Sequence, residues 1–164
     1  MATFGELMLE SSMRFWTLSG PGAIVKVLSL ADATGPRPPA AASGYLTQAK
    51  FLKGLNSSQI ERDLGLQPQS LKQGGFVCYL ARLPTYDEVE YRFSAALPDG
   101  QFWTSQMHEE FDRARSRYTG MRGEVIEGYP PGSERALQWR LKPGVAVPFS
   151  GSRVFISPVI SFSV

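Results

Sequence analysis

The chain has 164 residues, with 17 basic and 15 acidic side chains leaving a formal net charge of +2, which argues neither for nor against a polyanionic partner. That length suits a domain able to bury about two-thirds of the surface its unfolded form exposes. One cysteine, Cys78, excludes an intramolecular disulfide, and with one histidine, His108, it disfavours a zinc site of Cys and His ligands, so no metal and no resident cofactor are expected.

The opening MATFGELMLE lacks a basic stretch followed by a sustained apolar core, so it does not read as a cleaved secretory signal. No segment approaches the roughly 18 apolar residues of a membrane span, and a soluble protein is expected. Thr3 with Glu6 has capping-box spacing before Phe4, Leu7, Met8, Phe15 and Trp16, which predicts a helix over 4–17. Ser19-Gly20-Pro21-Gly22 ends it, and Ala23 to Leu30 reads as a strand. Residues 31–44 are rich in Pro, Ala and Gly without periodicity, the composition of a linker. The expected organisation is therefore an N-terminal arm and linker over 1–44 and a working domain over 45–164.

Tyr45 to Leu55 reads as a short helix carrying Phe51, Leu52 and Leu55. Ser58 with Glu61 predicts a second helix whose Ile60 and Leu64 face the core and which Gly65 terminates. Phe76 to Leu83 is almost continuously apolar and too short for a helix, so it reads as a central strand with Cys78 a buried thiol. Glu88 to Phe93 alternates, placing Val89, Tyr91 and Phe93 on one face and Glu88, Glu90 and Arg92 on the other.

The strongest helix pattern is Thr104 to Tyr118, where Met107, Phe111, Ala114 and Tyr118 recur at three- and four-residue steps. At about 100° per residue His108, Asp112 and Arg115 share one border of that stripe, where a side chain is partly desolvated yet reachable. Strands are then expected at 123–129, 137–141, 145–148, 153–157 and 159–164, separated by Pro and Gly turns. The whole predicts an α+β fold in which a mostly antiparallel sheet is packed by the 104–118 helix and a short helical pair.

The crowded helix supports two accounts. Glu109 and Arg113 form a favourable i,i+4 pair on an ordinary solvated face. The same segment also holds the parts of a metal-independent ribonuclease: His108 as base toward a 2′-hydroxyl, Arg115 on the scissile phosphate, and Tyr118 or Glu109 for the second proton transfer. Arg113 and Arg122 add cations for an RNA backbone and Trp103 an aromatic face for a base. An NAD-directed alternative, glycohydrolase or ADP-ribosyltransferase with NAD as substrate, would instead draw on Glu88, Glu90 or Glu124, although the Glu88-x-Glu90 pair also fits a wet strand face.

Residues 45–66, YLTQAKFLKGLNSSQIERDLGL, followed by Gln-Pro and the apolar strand through Pro84, resemble the entry segment of C-terminal toxin domains in bacterial polymorphic toxins and in type VI or contact-dependent effectors. That resemblance implies a compact α+β toxin domain delivered to another cell's cytoplasm, with a dedicated immunity protein as partner. It carries over no catalytic residue. A non-catalytic component of a viral or secretion particle, docking through residues 1–44, is the alternative of a different class.

Overall fold

The computed structural model describes residues 13–64, 66–90, 118–119, 124–125 and 138–163. The fold is α+β, organised by an antiparallel sheet of seven strands. These are β1 (Ile24–Ser29), β2 (Ala41–Ala42), β3 (Tyr45–Gln48), β4 (Gly75–Leu80), β5 (Val89–Glu90), β8 (Trp139–Leu141) and β9 (Val147–Ile156), arranged in the order β2-β9-β4-β1-β3-β8-β5. A separate two-stranded ladder joins β6 (Tyr118–Thr119) to β7 (Glu124–Val125). Among the described residues two short α-helices, α1 (Leu30–Thr34) and α2 (Ser57–Asp63), accompany the strands.

Strand β1 is central because Ile24 and Val25 are fully buried on opposite faces, so both sides of it need cover. It pairs with β4 from Val25↔Tyr79 to Ser29↔Gly75 and on its other edge with β3. The strand expected within the 1–44 arm is β1, an interior member of the sheet between β4 and β3, both built by residues beyond the linker. The linker is itself structured, with Ser29 Oγ capping α1 by accepting from Asp32 N at 3.1 Å. Only Ser43 and Gly44 separate β2 from β3, and Gly44 takes φ +71°, a left-handed bend that glycine adopts without a Cβ clash. One bent segment thus pairs with β9 through β2 and with β1 through β3, curling the sheet on itself.

The inner face of the curl packs Trp16, Ile24, Ala42, Leu46, Leu80, Val89, Trp139, Leu141 and Val147 into one cluster. Strands from both ends of the strand order meet there, which is the packing signature of the curl. Trp16 and Trp139 meet edge to face with centroids 5.2 Å apart. The outer face buries Val25, Val77 and Ile156 under Ile60 of α2 and Leu64 at its C-cap, with Leu52, Leu71 and Phe162.

Several expected elements take another form. Residues 45–48 are strand, not helix, since Leu46, Thr47 and Gln48 are buried by neighbouring strands, and only a 3-10 turn, Ala49–Phe51, follows. The helical pair reduces to α2, whose capping box is Asn56 with Gln59, two residues earlier than the Ser58 and Glu61 pairing. Glu61 instead accepts from Gln69 N and Leu71 N, fastening the following loop. Residues 86–88 form a 3-10 turn before the two-residue β5, shortening the expected 88–93 strand among the described residues. Tyr118 lies in β6 opposite Val125 and so is not part of the expected 104–118 helix, whose residues 104–117 lie outside the described residues. Of the expected 4–17 helix, 4–12 lies outside them too; Met13 is helical, Arg14 and Phe15 turn, and Thr17 bridges to Ala23.

Two expected strands near the end are one. Strand β9 runs through Ser150-Gly151-Ser152, where its register against β4 jumps from Cys78↔Arg153 to Leu80↔Phe149. Four residues of β9 span what two of β4 span, a bulge that Gly151 accommodates at φ +94°. Of the expected 159–164 strand, the described residues 159–163 are not in the sheet. Ser157 Oγ accepts from Val159 N and Ile160 N to make a turn, after which Phe162 exchanges backbone hydrogen bonds with Gly54 and Leu55. Among the described residues no helix is long and apolar enough to cross a membrane.

Candidate functional site

The curled sheet brings three chemistry-bearing side chains into one row. Lys26 of β1 stands opposite Cys78 of β4, and Cys78 stands opposite Arg153 of β9. Alternation fixes their face: Val25, Val77 and Val154 pack outward, so Lys26, Cys78 and Arg153 point the other way, toward the inner face. Near the centre that face is filled by apolar side chains, and at the Arg153 end it opens. There a cavity of about 420 Å³ is lined by Leu28, Ala33, Pro38, Pro39, Phe149 and the Gly151–Arg153 turn, with Cys78 also contributing to its wall.

The local sequence explains the opening. The bulge carries β9 away from β4, and the stretch from α1 through Pro38 and Pro39 rises along the other side as a wall with no proline N–H to satisfy. Arg153 is exposed, and its guanidinium carbon lies 4.0 Å from the centroid of the Phe76 ring. Phe155 braces that ring edge to face at 5.5 Å. The cation is therefore propped over an aromatic face rather than folded onto a carboxylate. Among the described residues neither Arg153 nor Lys26 has a carboxylate partner.

Lys26 donates from Nζ to the Tyr45 carbonyl at 3.1 Å, and burial pushes its pKa below the ordinary lysine value. The Cys78 thiol is pushed up by burial, with the Arg153 charge pulling weakly the other way. A buried thiol held in its neutral form is a poor nucleophile. The Arg153 end of the row is thus suited to receiving an anion rather than to covalent catalysis. Among the described residues no cluster of His, Cys, Asp or Glu has the makings of a metal site.

The residues singled out from the sequence are placed unevenly. His108, Glu109, Arg113, Arg115, Arg122 and Trp103 lie outside the described residues. Tyr118 and Glu124 fall on the two paired strands of the small ladder, where Thr119 faces Glu124 and Tyr118 faces Val125. Glu88 and Glu90 do not share a strand. Glu90 is in β5 opposite Arg140, whereas Glu88 closes the preceding turn.

Glu88 is fully engaged. Arg82 forks onto it, with Nη1 to Oε1 at 2.7 Å and Nη2 to Oε2 at 2.8 Å, and Thr85 N donates to Oε1 at 2.9 Å. The Arg82 bonds, then the Thr85 N–H, hold the carboxyl at a pKa of about 2. Trp139, a candidate base-stacking residue by type, is buried against Trp16 and belongs to the core. Lys26 and Arg153 carried no local signal, since only strand register unites positions 127 residues apart (153 minus 26). The glycine inside the Arg153 strand was the one cue, as it marks a bulge.

No family model, curated protein or solved structure matches the chain significantly.

Proposed function

We propose that the chain is an antibacterial effector domain that cleaves RNA in a target cytoplasm without a metal and is neutralised by a cognate immunity protein. His108 removes the proton from a ribose 2′-hydroxyl, whose oxygen attacks the adjacent phosphorus. The bond from phosphorus to the 5′-oxygen breaks, and that oxygen takes a proton delivered by Tyr118 or Glu109 directly or through water. Arg115 stabilises the charge gathering on the phosphoryl oxygens, and Arg113, Arg122 and Trp103 hold the strand.

The observation that carries the choice over an NAD-directed enzyme is the state of Glu88. Both of its oxygens are committed to Arg82 and Thr85 in a turn, so binding a ribose would first break that fork. An NAD glycohydrolase or ADP-ribosyltransferase built on Glu88 would have to recruit a carboxylate already engaged by Arg82 and Thr85. The particle-component alternative, docking through residues 1–44, would draw on Phe15 and Leu18 of that arm, which are 66% and 43% accessible.

The test is cleavage of an end-labelled RNA by purified protein in excess EDTA. The expected products carry 2′,3′-cyclic phosphate and 5′-hydroxyl ends, and both His108→Ala and 2′-deoxy substitution at the cut site abolish them. Intact RNA, or cleavage indifferent to either change, overturns the proposal.

A further inference from the structure

We infer that the cavity between the β9 bulge and the Pro38–Pro39 wall is a binding site for a small aromatic phosphate of mononucleotide size, with the phosphate on Arg153 and the ring along the apolar wall. Its volume of about 420 Å³ falls within the usual range for small-ligand sites, about 300–1,000 Å³. Its chemistry is divided in the way such a ligand requires. Leu28, Ala33, Pro38, Pro39 and Phe149 offer a largely apolar, rigid surface that makes few demands for hydrogen bonds. At the mouth stands one guanidinium, its face laid on Phe76, leaving its N–H edge for a phosphate in a two-pronged contact.

Three features argue for a built site rather than a surface dent. The Phe155-braced Phe76 ring holds the cation in place. The bulge that opens the cavity interrupts an otherwise regular ten-residue strand at one point, where four residues of β9 face two of β4. Arg153 is exposed and has no carboxylate partner among the described residues, so no ion pair has to break for an anion to bind. A carboxyl-bearing ligand satisfies Arg153 in a similar way. A phosphate is favoured because two of its oxygens fit both prongs of the guanidinium while its second negative charge strengthens the attraction to it.

The inference does not rest on RNA cleavage: a free nucleotide could occupy the cavity in a protein that cuts no RNA. Cys78 makes occupancy measurable, because it lines the cavity and is the sole cysteine. The experiment follows the rate of Cys78 modification by methyl methanethiosulfonate, read by intact mass, with AMP, adenosine or inorganic phosphate present. AMP is expected to slow modification at least fivefold with saturation, and adenosine or phosphate alone far less. Arg153→Ala should lose the protection and Arg153→Lys should keep part of it; each variant is compared with its own ligand-free rate. Arg153 is exposed, so both variants should fold, and the melting temperature confirms it while showing whether AMP stabilises wild type alone. Absence of saturable AMP protection in wild type, equal protection by adenosine or by phosphate, or full protection in Arg153→Ala would each overturn the assignment.

Discussion

Glu88→Gln separates a structural carboxylate from a catalytic one. Glutamine keeps an oxygen that can accept from Thr85 N but loses the charge that holds the Arg82 fork. The pair faces water, with the side chains of Arg82 and Glu88 46% and 22% accessible, so most of the electrostatic gain implied by a carboxyl held at about 2 is screened. The expected loss for Glu88→Gln is about 0.5–1 kcal/mol at pH 7, which in a chain of this size lowers Tm by about 1–4 °C. Because the folded-state pKa is depressed from 4.5 to about 2, this stabilisation is complete above the unfolded value and drains away as pH falls from about 4.5 toward 2. Urea melts of wild type and variant between pH 7 and pH 3 should therefore give a gap that is flat at the upper end and narrows below about pH 4.5. Activity of the folded variant should be unchanged. A gap independent of pH would refute the ion-pair argument, and a folded variant that has lost toxicity would refute the structural assignment of Glu88.

Other perturbations test the packing. Asn56→Ala removes the side chain that accepts from Gln59 N at 2.9 Å and should cost about 1 kcal/mol in a denaturant melt. Gly44→Ala forces a Cβ into a φ of +71° and should cost about 1–2 kcal/mol, loosening the bend that joins β2 to β3. Trp139→Ala empties the centre of the inner cluster and should cost about 3–5 kcal/mol, enough to approach unfolding at ambient temperature. Lys26→Met relieves a desolvated cation and should raise stability at pH 7. Since burial depresses the folded-state pKa of Lys26, that gain should shrink as pH rises toward the ordinary lysine value of 10.5. A variant no more stable than wild type at pH 7 would contradict this.

The parts of the fold legible in the sequence were those whose local pattern agrees with their final neighbours. Phe76 to Leu80 is apolar on both faces because β1 and β9 flank it and both sheet faces are covered, and an unbroken apolar run states that directly. Residues 45–48 went the other way. Leu46, Phe51, Leu52 and Leu55 stand at spacings that suit a helix, and what makes Tyr45 to Gln48 a strand is the edge that β1 offers. Capping was legible in kind and displaced in place, since Asn56 and Gln59 win over Ser58 and Glu61 once Glu61 is engaged by the next loop. Ser150-Gly151-Ser152 has turn composition, and whether it turns or bulges depends on whether both flanks find the same partner strand, as they do in β4.

The cation row was not legible, because no local pattern couples Lys26, Cys78 and Arg153; strand pairing does. Glu88 and Glu90 had the spacing of a shared strand face, and the 3-10 turn at Tyr86–Glu88, fastened by Arg82, parts them. Tyr118 had helical spacing from Met107, and its pairing with Val125 places it in a strand.

The measurement that bears most directly on the proposed function is growth of a bacterial host during induced cytoplasmic expression of wild type and His108→Ala, with total RNA and NAD assayed from the same cultures. RNA cleavage as the toxic act predicts arrest with fragmented RNA and preserved NAD for wild type, and normal growth with intact RNA for the variant. Arrest with NAD loss and intact RNA would contradict it, as would unimpeded growth of cells holding folded wild-type protein.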